Sequence, residues 1–142
     1  NGCDEVILYR DEDFVARVKD ITKGALCHVV YDGVGKDTFP GSLDCIRARG
    51  MFVTFGNASG PVPPFSLFEL TKRGALYATR PTLGEFVKDQ NEMDESVAQM
   101  FAALRAGQIT VQINHRYALK DAAQAHRDLE GRKTTGAVIL LP

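Results

Sequence analysis

Three glycine-bearing segments and two arginines are the residues whose types and spacing bear on ligand chemistry. Asp32-Gly33-Val34-Gly35, Gly56-Asn57-Ala58-Ser59-Gly60 and Arg80-Pro81-Thr82 each follow a short apolar run. Glycine lets a backbone approach a flat or phosphorylated ligand closely, while Asn57, Ser59 and Thr82 offer neutral hydrogen bonds. The same glycines would also serve ordinary turns, and spacing alone does not separate the two readings. Arg132-Lys133-Thr134-Thr135-Gly136 sets two cations before the last apolar run. It reads either as a phosphate grip or as a solvated basic turn. Arg80 directly follows an apolar run, which aims it toward the end of a strand.

Other chemistries find no support in the spacing. The chain has no G-x-x-x-x-G-K-[ST] and no complete G-x-G-x-x-G, and Ser59 lacks the G-x-S-x-G setting of a strained nucleophile. His28, His115 and His126 are scattered, so none has an evident acid–base partner. Asp11, Glu12 and Asp13 crowd a helix start, where carboxylates suit the macrodipole. Cys3, Cys27 and Cys45 are an odd number without a close pair, which fits a reducing, cytoplasmic setting better than a disulfide framework. Cys27 and His28 are adjacent and would point to opposite faces of a strand, so no metal site is expected.

The elements that must position these loops alternate. Val6 to Tyr9 is a β-prone run, and Asp11 caps a helix carrying Phe14, Val18 and Ile21. Val29-Val30-Tyr31 makes a second strand, Phe39, Leu43 and Ile46 form a helical stripe ended by Gly50, and Met51 to Phe55 makes a third strand. Ser66 with Glu69 reads as a capping box before Gly74, and Ala75 to Thr79 as another strand. Beyond Arg80-Pro81, Val97, Met100, Phe101 and Leu104 share a helical face ended by Gly107. Ile109, Val111 and Ile113 alternate as in a strand, Ala122, Ala125 and Leu129 mark a helix, and Ala137 to Leu141 is a last strand. Such alternation predicts a parallel sheet flanked by helices. Ligands bind such sheets beyond the carboxyl ends of the strands, where these loops fall.

Composition bounds the partners. The 142 residues are 44% apolar and 25% charged, enough for a real core, and 17 basic against 18 acidic side chains leave a net charge of −1. That balance argues against nucleic acid and against an anionic membrane surface. No apolar run approaches the ~20 residues that span a bilayer. A start at Asn1, almost at once followed by a strand-like run, is expected of a piece of something longer.

Val6-Ile7-Leu8-Tyr9-Arg10, Val29 to Gly35, Ser42-Leu43-Asp44-Cys45, Phe55 to Gly60, Thr79-Arg80-Pro81-Thr82, Ala125 to Glu130 and Arg132 to Gly136 occur in that order. On these residues the chain resembles the carboxyl-terminal part of the zinc-independent, zeta-crystallin-like quinone oxidoreductases of the medium-chain dehydrogenase/reductase superfamily. The resemblance implies an α/β fold: a partial Rossmann domain over 1–107, lacking its first two strands, followed by a carboxyl-terminal α+β segment over 108–142. That segment would pack on a GroES-like catalytic domain. In such folds the two lacking strands lie between the run at Val6 and the next strand. Val6 to Tyr9 must therefore pair differently, stay loose, or be completed by another chain.

The resemblance further implies NADPH as cofactor and a quinone as acceptor. Tyr9 matches a position near the adenosine ribose phosphate; Gly33, Val34 and Gly35 the loop beside the ribose and pyrophosphate; Phe55, Gly56 and Asn57 the loop near the nicotinamide. Arg80 and Arg132 match positions around the cofactor. Family members pair as homodimers through a sheet edge that corresponds to Ala75 to Thr79. No catalytic side chain is expected, because hydride transfer needs positioning and exclusion of water rather than a proton donor. The 142 residues by themselves are expected to turn over little. Two alternatives stay open: a related enoyl or alkenal reductase, and a non-catalytic nucleotide-binding or crystallin-like structural module. The geometric expectation under all of this is that the turns at Gly33 and Gly56 are neighbours.

Overall fold

A computed structural model describes residues 2–142. It divides into two compact units, Gly2–Lys88 and Asp89–Pro142. The long helix that follows Asp89 falls in the second unit.

In the first unit, helix α1 (Phe14–Ile21) leads to strand β1 (Cys27–Asp32). The short helix α2 (Gly41–Asp44) leads to strand β2 (Ile46–Thr54), and helix α3 (Phe68–Lys72) to strand β3 (Tyr77–Thr79). A four-residue helix α4 (Leu83–Phe86) ends the unit. The sheet order is β1-β2-β3 and all pairings are parallel, with Val30 opposite Phe52, Asp32 opposite Thr54, and Val53 opposite Thr79. Leu43, Ile46, Phe52 and Leu76 form the core, with Val30, Phe39 and Leu70 packed against it. The Phe39 ring meets Phe52 at 6.3 Å and Phe65 at 4.9 Å between centroids, within the range of tilted aromatic contact. Arg73 ties α2 to α3, its guanidinium lying 2.6 Å from both Asp44 and Glu69.

The second unit holds helix α5 (Gln90–Arg105), strand β4 (Ile113–Ala118), helix α6 (Ala122–Glu130) and strand β5 (Ala137–Leu141). β4 and β5 pair in parallel, with Arg116 opposite Ile139. Ala125 is the buried apolar residue of this unit. A capping box starts α5: Asp89 accepts from the Glu92 N–H at 2.9 Å, and the Glu92 side chain accepts from the Asp89 N–H.

Several local expectations need correction. Val6 to Tyr9 forms no strand. The Leu8 carbonyl instead accepts from Asp11 N and Glu12 N, and Val6 and Leu8 are 72% and 62% exposed. A strand exists only by pairing, and none of the described strands pairs with this run. Helix α1 is capped by Asp13, which accepts from Val15 N and Ala16 N, not by Asp11. Gly50 does not stop a helix. It sits buried inside β2 in an irregular stretch where Arg49 has a left-handed φ of 62°, and a side chain there would meet the Ile46 methyl and the His28 carbonyl. The helical stripe shrinks to Gly41–Asp44, and Ile46 opens the strand instead. No capping box forms at Ser66, because the Glu69 side chain is drawn to Lys72 and Arg73. Ala75 has a left-handed φ of 57° and Leu76 turns into the core, so the edge strand is Tyr77–Thr79 alone. Ile109 and Val111 precede β4 rather than belonging to it.

Candidate functional site

Parallel pairing carries β1 and β2 in the same direction, so the loops that leave them emerge side by side at the carboxyl edge. The junction is dense. Phe55 N donates to the Asp32 carbonyl at 2.9 Å, Ala58 N to the Gly33 carbonyl at 3.3 Å, Ser59 N to the Val34 carbonyl at 2.8 Å, and Lys36 N to the Gly60 carbonyl at 3.0 Å. The Ser59 hydroxyl donates to the Val34 carbonyl at 2.8 Å and accepts from Asp37 N at 2.9 Å. A Cβ on Gly56 would collide with the backbone of Gly33, and one on Gly35 with the carbonyl of Gly60. Close approach of two backbones therefore requires glycine at 35 and 56. The two turns are neighbours, as expected.

Beneath the first loop lies a buried carboxylate. Asp32 is 4% exposed, and its Oδ1 accepts from Val34 N at 2.8 Å and Gly35 N at 2.9 Å. Its Oδ2 accepts from the Thr38 hydroxyl at 2.8 Å and the Ser42 hydroxyl at 2.7 Å. Burial pushes the carboxyl pKa up, but the hydrogen bonds from Ser42, Gly35, Thr38 and Val34 together outweigh it, and the net effect is a lowered value. Asp32, Thr38 and Ser42 have no site role expected of them from spacing or resemblance. Their signal is an acid at a strand end, followed by glycines and then by hydroxyls six and ten residues on.

Two hollows flank the junction. A mainly apolar cavity of about 240 Å³ is lined by Tyr9, Gly33 and Val34 together with Phe14, Val30 and Tyr31. Tyr9 thus lines the same hollow as the first glycine loop without its segment being a strand. On the other side, Phe55, Arg80, Pro81, Thr82, Leu83 and Phe86 bound a groove of about 490 Å³. The Phe55 ring is 54% exposed, and a Cβ on Gly33 would stand 3.2 Å from it. Arg80 is held across the groove by donating from Nη1 to the Thr54 carbonyl at 2.9 Å. Asn57, in the second glycine loop, is exposed.

Of the expected site residues, Tyr9, Gly33 and Val34 share one hollow, Phe55 and Arg80 share the other, and Gly35, Gly56 and Asn57 lie in the junction. Arg132 lies in the second unit. It occupies a left-handed turn, φ 55°, after α6, and its N–H donates to the Leu129 carbonyl at 3.0 Å. Ser59 is committed to the junction through its hydroxyl.

Among the described residues, no group of three or more His, Cys, Asp or Glu is placed to hold a metal ion. Cys45 is buried, and that burial, aided by nearby Cys27 and Asp44, pushes its thiol up to about 11. It is protonated at neutral pH and a poor nucleophile. No described helix is long and apolar enough to cross a membrane.

A parallel sheet flanked by helices, with glycine loops abutting at its carboxyl edge, defines a Rossmann-like α/β unit. Residues 1–140 match the model of the zinc-binding dehydrogenases, and the chain belongs to that family. It is 49% identical to a quinone oxidoreductase of Salmonella typhimurium, over 99% of this chain and 44% of that protein. Identity to a 2-haloacrylate reductase of a Burkholderia species is 42%, over 99% of this chain and 43% of that protein. A solved structure of Escherichia coli quinone oxidoreductase, in complex with NADPH, superposes with a TM-score of 0.93 at 44% identity, covering 99% of this chain and 44% of that one. The chain spans less than half the length of these relatives.

Proposed function

We propose that these residues form the cofactor-binding portion of an NADPH-dependent oxidoreductase that passes hydride or electrons to a quinone. The observation that carries this reading is the junction of the Gly33 and Gly56 turns at the carboxyl edge of a parallel sheet, with a hollow on either side. Neither hollow reaches the upper part of the ~300–1,000 Å³ range of small-molecule sites, so an extended ligand with one flat group in each fits better than a compact one. The cavity at Tyr9, Gly33 and Val34 suits the flat, mainly apolar faces of an adenosine. The groove at Phe55 and Arg80 suits a second ring, and the exposed Asn57 amide offers it hydrogen bonds. The residues present fit NADPH on these grounds, and the identity to enzymes named quinone oxidoreductase supports the choice.

NADPH, when bound, supplies the hydride. What the chain itself contributes is placement. The Phe55 ring lines one side of the groove, Arg80 is held by its hydrogen bond to the Thr54 carbonyl, and the interlocked loops support the groove from below. Quinone is the acceptor this reading assigns. A second reading, reduction of an activated carbon–carbon double bond, is favoured by the 2-haloacrylate reductase among the relatives. We further assign a homodimer formed through the exposed edge strand Tyr77–Thr79, whose unpaired backbone groups are a template for a second copy.

The test is NADPH titration followed by oxidation of NADPH at the length of the relatives, with a quinone and a haloacrylate offered side by side. Saturable NADPH binding and faster turnover of quinone are expected. Failure to bind NADPH would sink the cofactor assignment, and faster turnover of haloacrylate would replace quinone as the acceptor. The 142 residues alone are expected to show little turnover.

A further inference from the structure

Asp32 is an odd residue for its place. A carboxylate 4% exposed is held entirely by neutral donors, two backbone N–H groups and two hydroxyls. Burying a charge without a cation is costly unless every lone pair is met, so the arrangement fixes the donors as firmly as the acceptor. Two of those donors are the N–H groups of Val34 and Gly35, in the turn whose Gly33 and Val34 carbonyls hold the second loop. The Val34 peptide is the link. Its N–H goes to Asp32, while its carbonyl accepts both Ser59 N and the Ser59 hydroxyl. Gly35 donates its N–H to Asp32 as well, while its carbonyl accepts from Thr38 N and Phe39 N, and a Cβ on it would collide with the Gly60 carbonyl.

We propose that Asp32 is a positioning residue for coenzyme binding: acting through Val34 and the Ser59 latch, it sets the register of the Gly56–Gly60 loop, and with it Phe55 and Asn57, against the Gly33–Gly35 turn. The proposal rests on the coenzyme reading above for its consequence and on the loop contacts for its cause. Thr38 and Ser42 are part of the same device, because they hold the carboxylate's other oxygen.

The test is amide hydrogen exchange on Asp32→Asn, read at Ala58 and Ser59, together with NADPH titration by fluorescence. Faster exchange at both amides is expected, with a rise in Kd for NADPH of about fivefold, the scale of one lost hydrogen bond. Ser59→Ala should raise the Kd to a similar degree, and Ser59→Thr, which keeps the hydroxyl, should restore it. Because both residues act through one turn, the double variant Asp32→Asn/Ser59→Ala should bind little worse than either single variant. A residue that merely stabilised the fold would lower the melting temperature while leaving the Kd of the folded protein alone. Unchanged exchange at Ala58 and Ser59 in folded Asp32→Asn overturns the proposal, and so does faster exchange with unchanged NADPH affinity, or a double variant whose effects multiply. Should Asp32→Asn not fold, Ser59→Ala decides the coupling by exchange at Val34 and Gly35, where no change overturns it. If the unsubstituted protein binds no NADPH, the coenzyme reading falls and this role for Asp32 falls with it, whereas the exchange result separates that failure from a failure of the coupling itself.

Discussion

The two compact units spend their apolar residues differently. Gly2–Lys88 closes a core of its own around Leu43, Ile46, Phe52 and Leu76, directly beneath the glycine loops. Asp89–Pro142 buries Ala125, while Met93, Val97, Met100 and Phe101 of its long helix stay partly exposed at helical spacing. A stripe of apolar side chains is a face waiting for cover, and only a second layer converts it into stabilisation. The loops that carry the candidate site are therefore built on the unit with the larger buried core. Rigid support of this kind is what a binding constellation requires.

Substitutions can break or sharpen that contrast. Phe52 is 1% exposed and lies in the core, so Phe52→Ala is expected to cost about 3–5 kcal/mol in urea unfolding. A loss below that range would mean that the first unit is not the better-cored one. Gly56→Ala drives a methyl group into the Gly33 backbone, so the loops must part. A loss of about 1–3 kcal/mol is expected from such overpacking, with weaker NADPH binding in the same titration. An unchanged affinity would detach the junction from the ligand.

Asp32 sharpens the contrast through pH. Its folded pKa is lowered, so the stabilisation from the carboxylate is complete above the unfolded value of about 3.9 and is lost as pH falls through the folded value. Urea midpoints should fall as pH drops from about 5 toward 2, and Asp32→Asn should flatten that slope while costing about 1–2 kcal/mol at neutral pH. An equally steep acid limb in the variant would assign the effect to other carboxylates. The smallest effect belongs to the second unit. Leu129, 53% exposed, should cost less than about 1 kcal/mol on Leu129→Ala, as half-exposed side chains do. A thiol-labelling check goes with these: Cys3 should react with a disulfide reagent at about pH 8 in the native protein, and Cys45, with its thiol raised to about 11, should react only on unfolding.

Much of the frame was legible from residue types. Helix α1, strands β1 and β2, the helices at 90–105 and 122–130 and the strand at 137–141 follow apolar spacing that chain-local sterics enforce. The glycine pairs after β1 and β2 were legible for the same reason. The run at Val6 to Tyr9 was not, because β-propensity describes a side chain's fit to a sheet and says nothing about whether a neighbouring strand exists. Gly50 misled because a glycine that ends a helix and one that lets a strand bulge read alike in one dimension.

The sequence by itself determined that this is an alternating α/β chain with glycine turns at its strand ends and a nearly balanced charge. Those properties are local or compositional. Only the tertiary structure decided that Gly33 and Gly56 abut, that Asp32 is the buried carboxylate beneath them, and that Ser59 fastens one loop to the other. Hydrogen bonds between residues more than twenty positions apart exist only once parallel pairing has brought the strand ends to the same edge, and no local spacing encodes them.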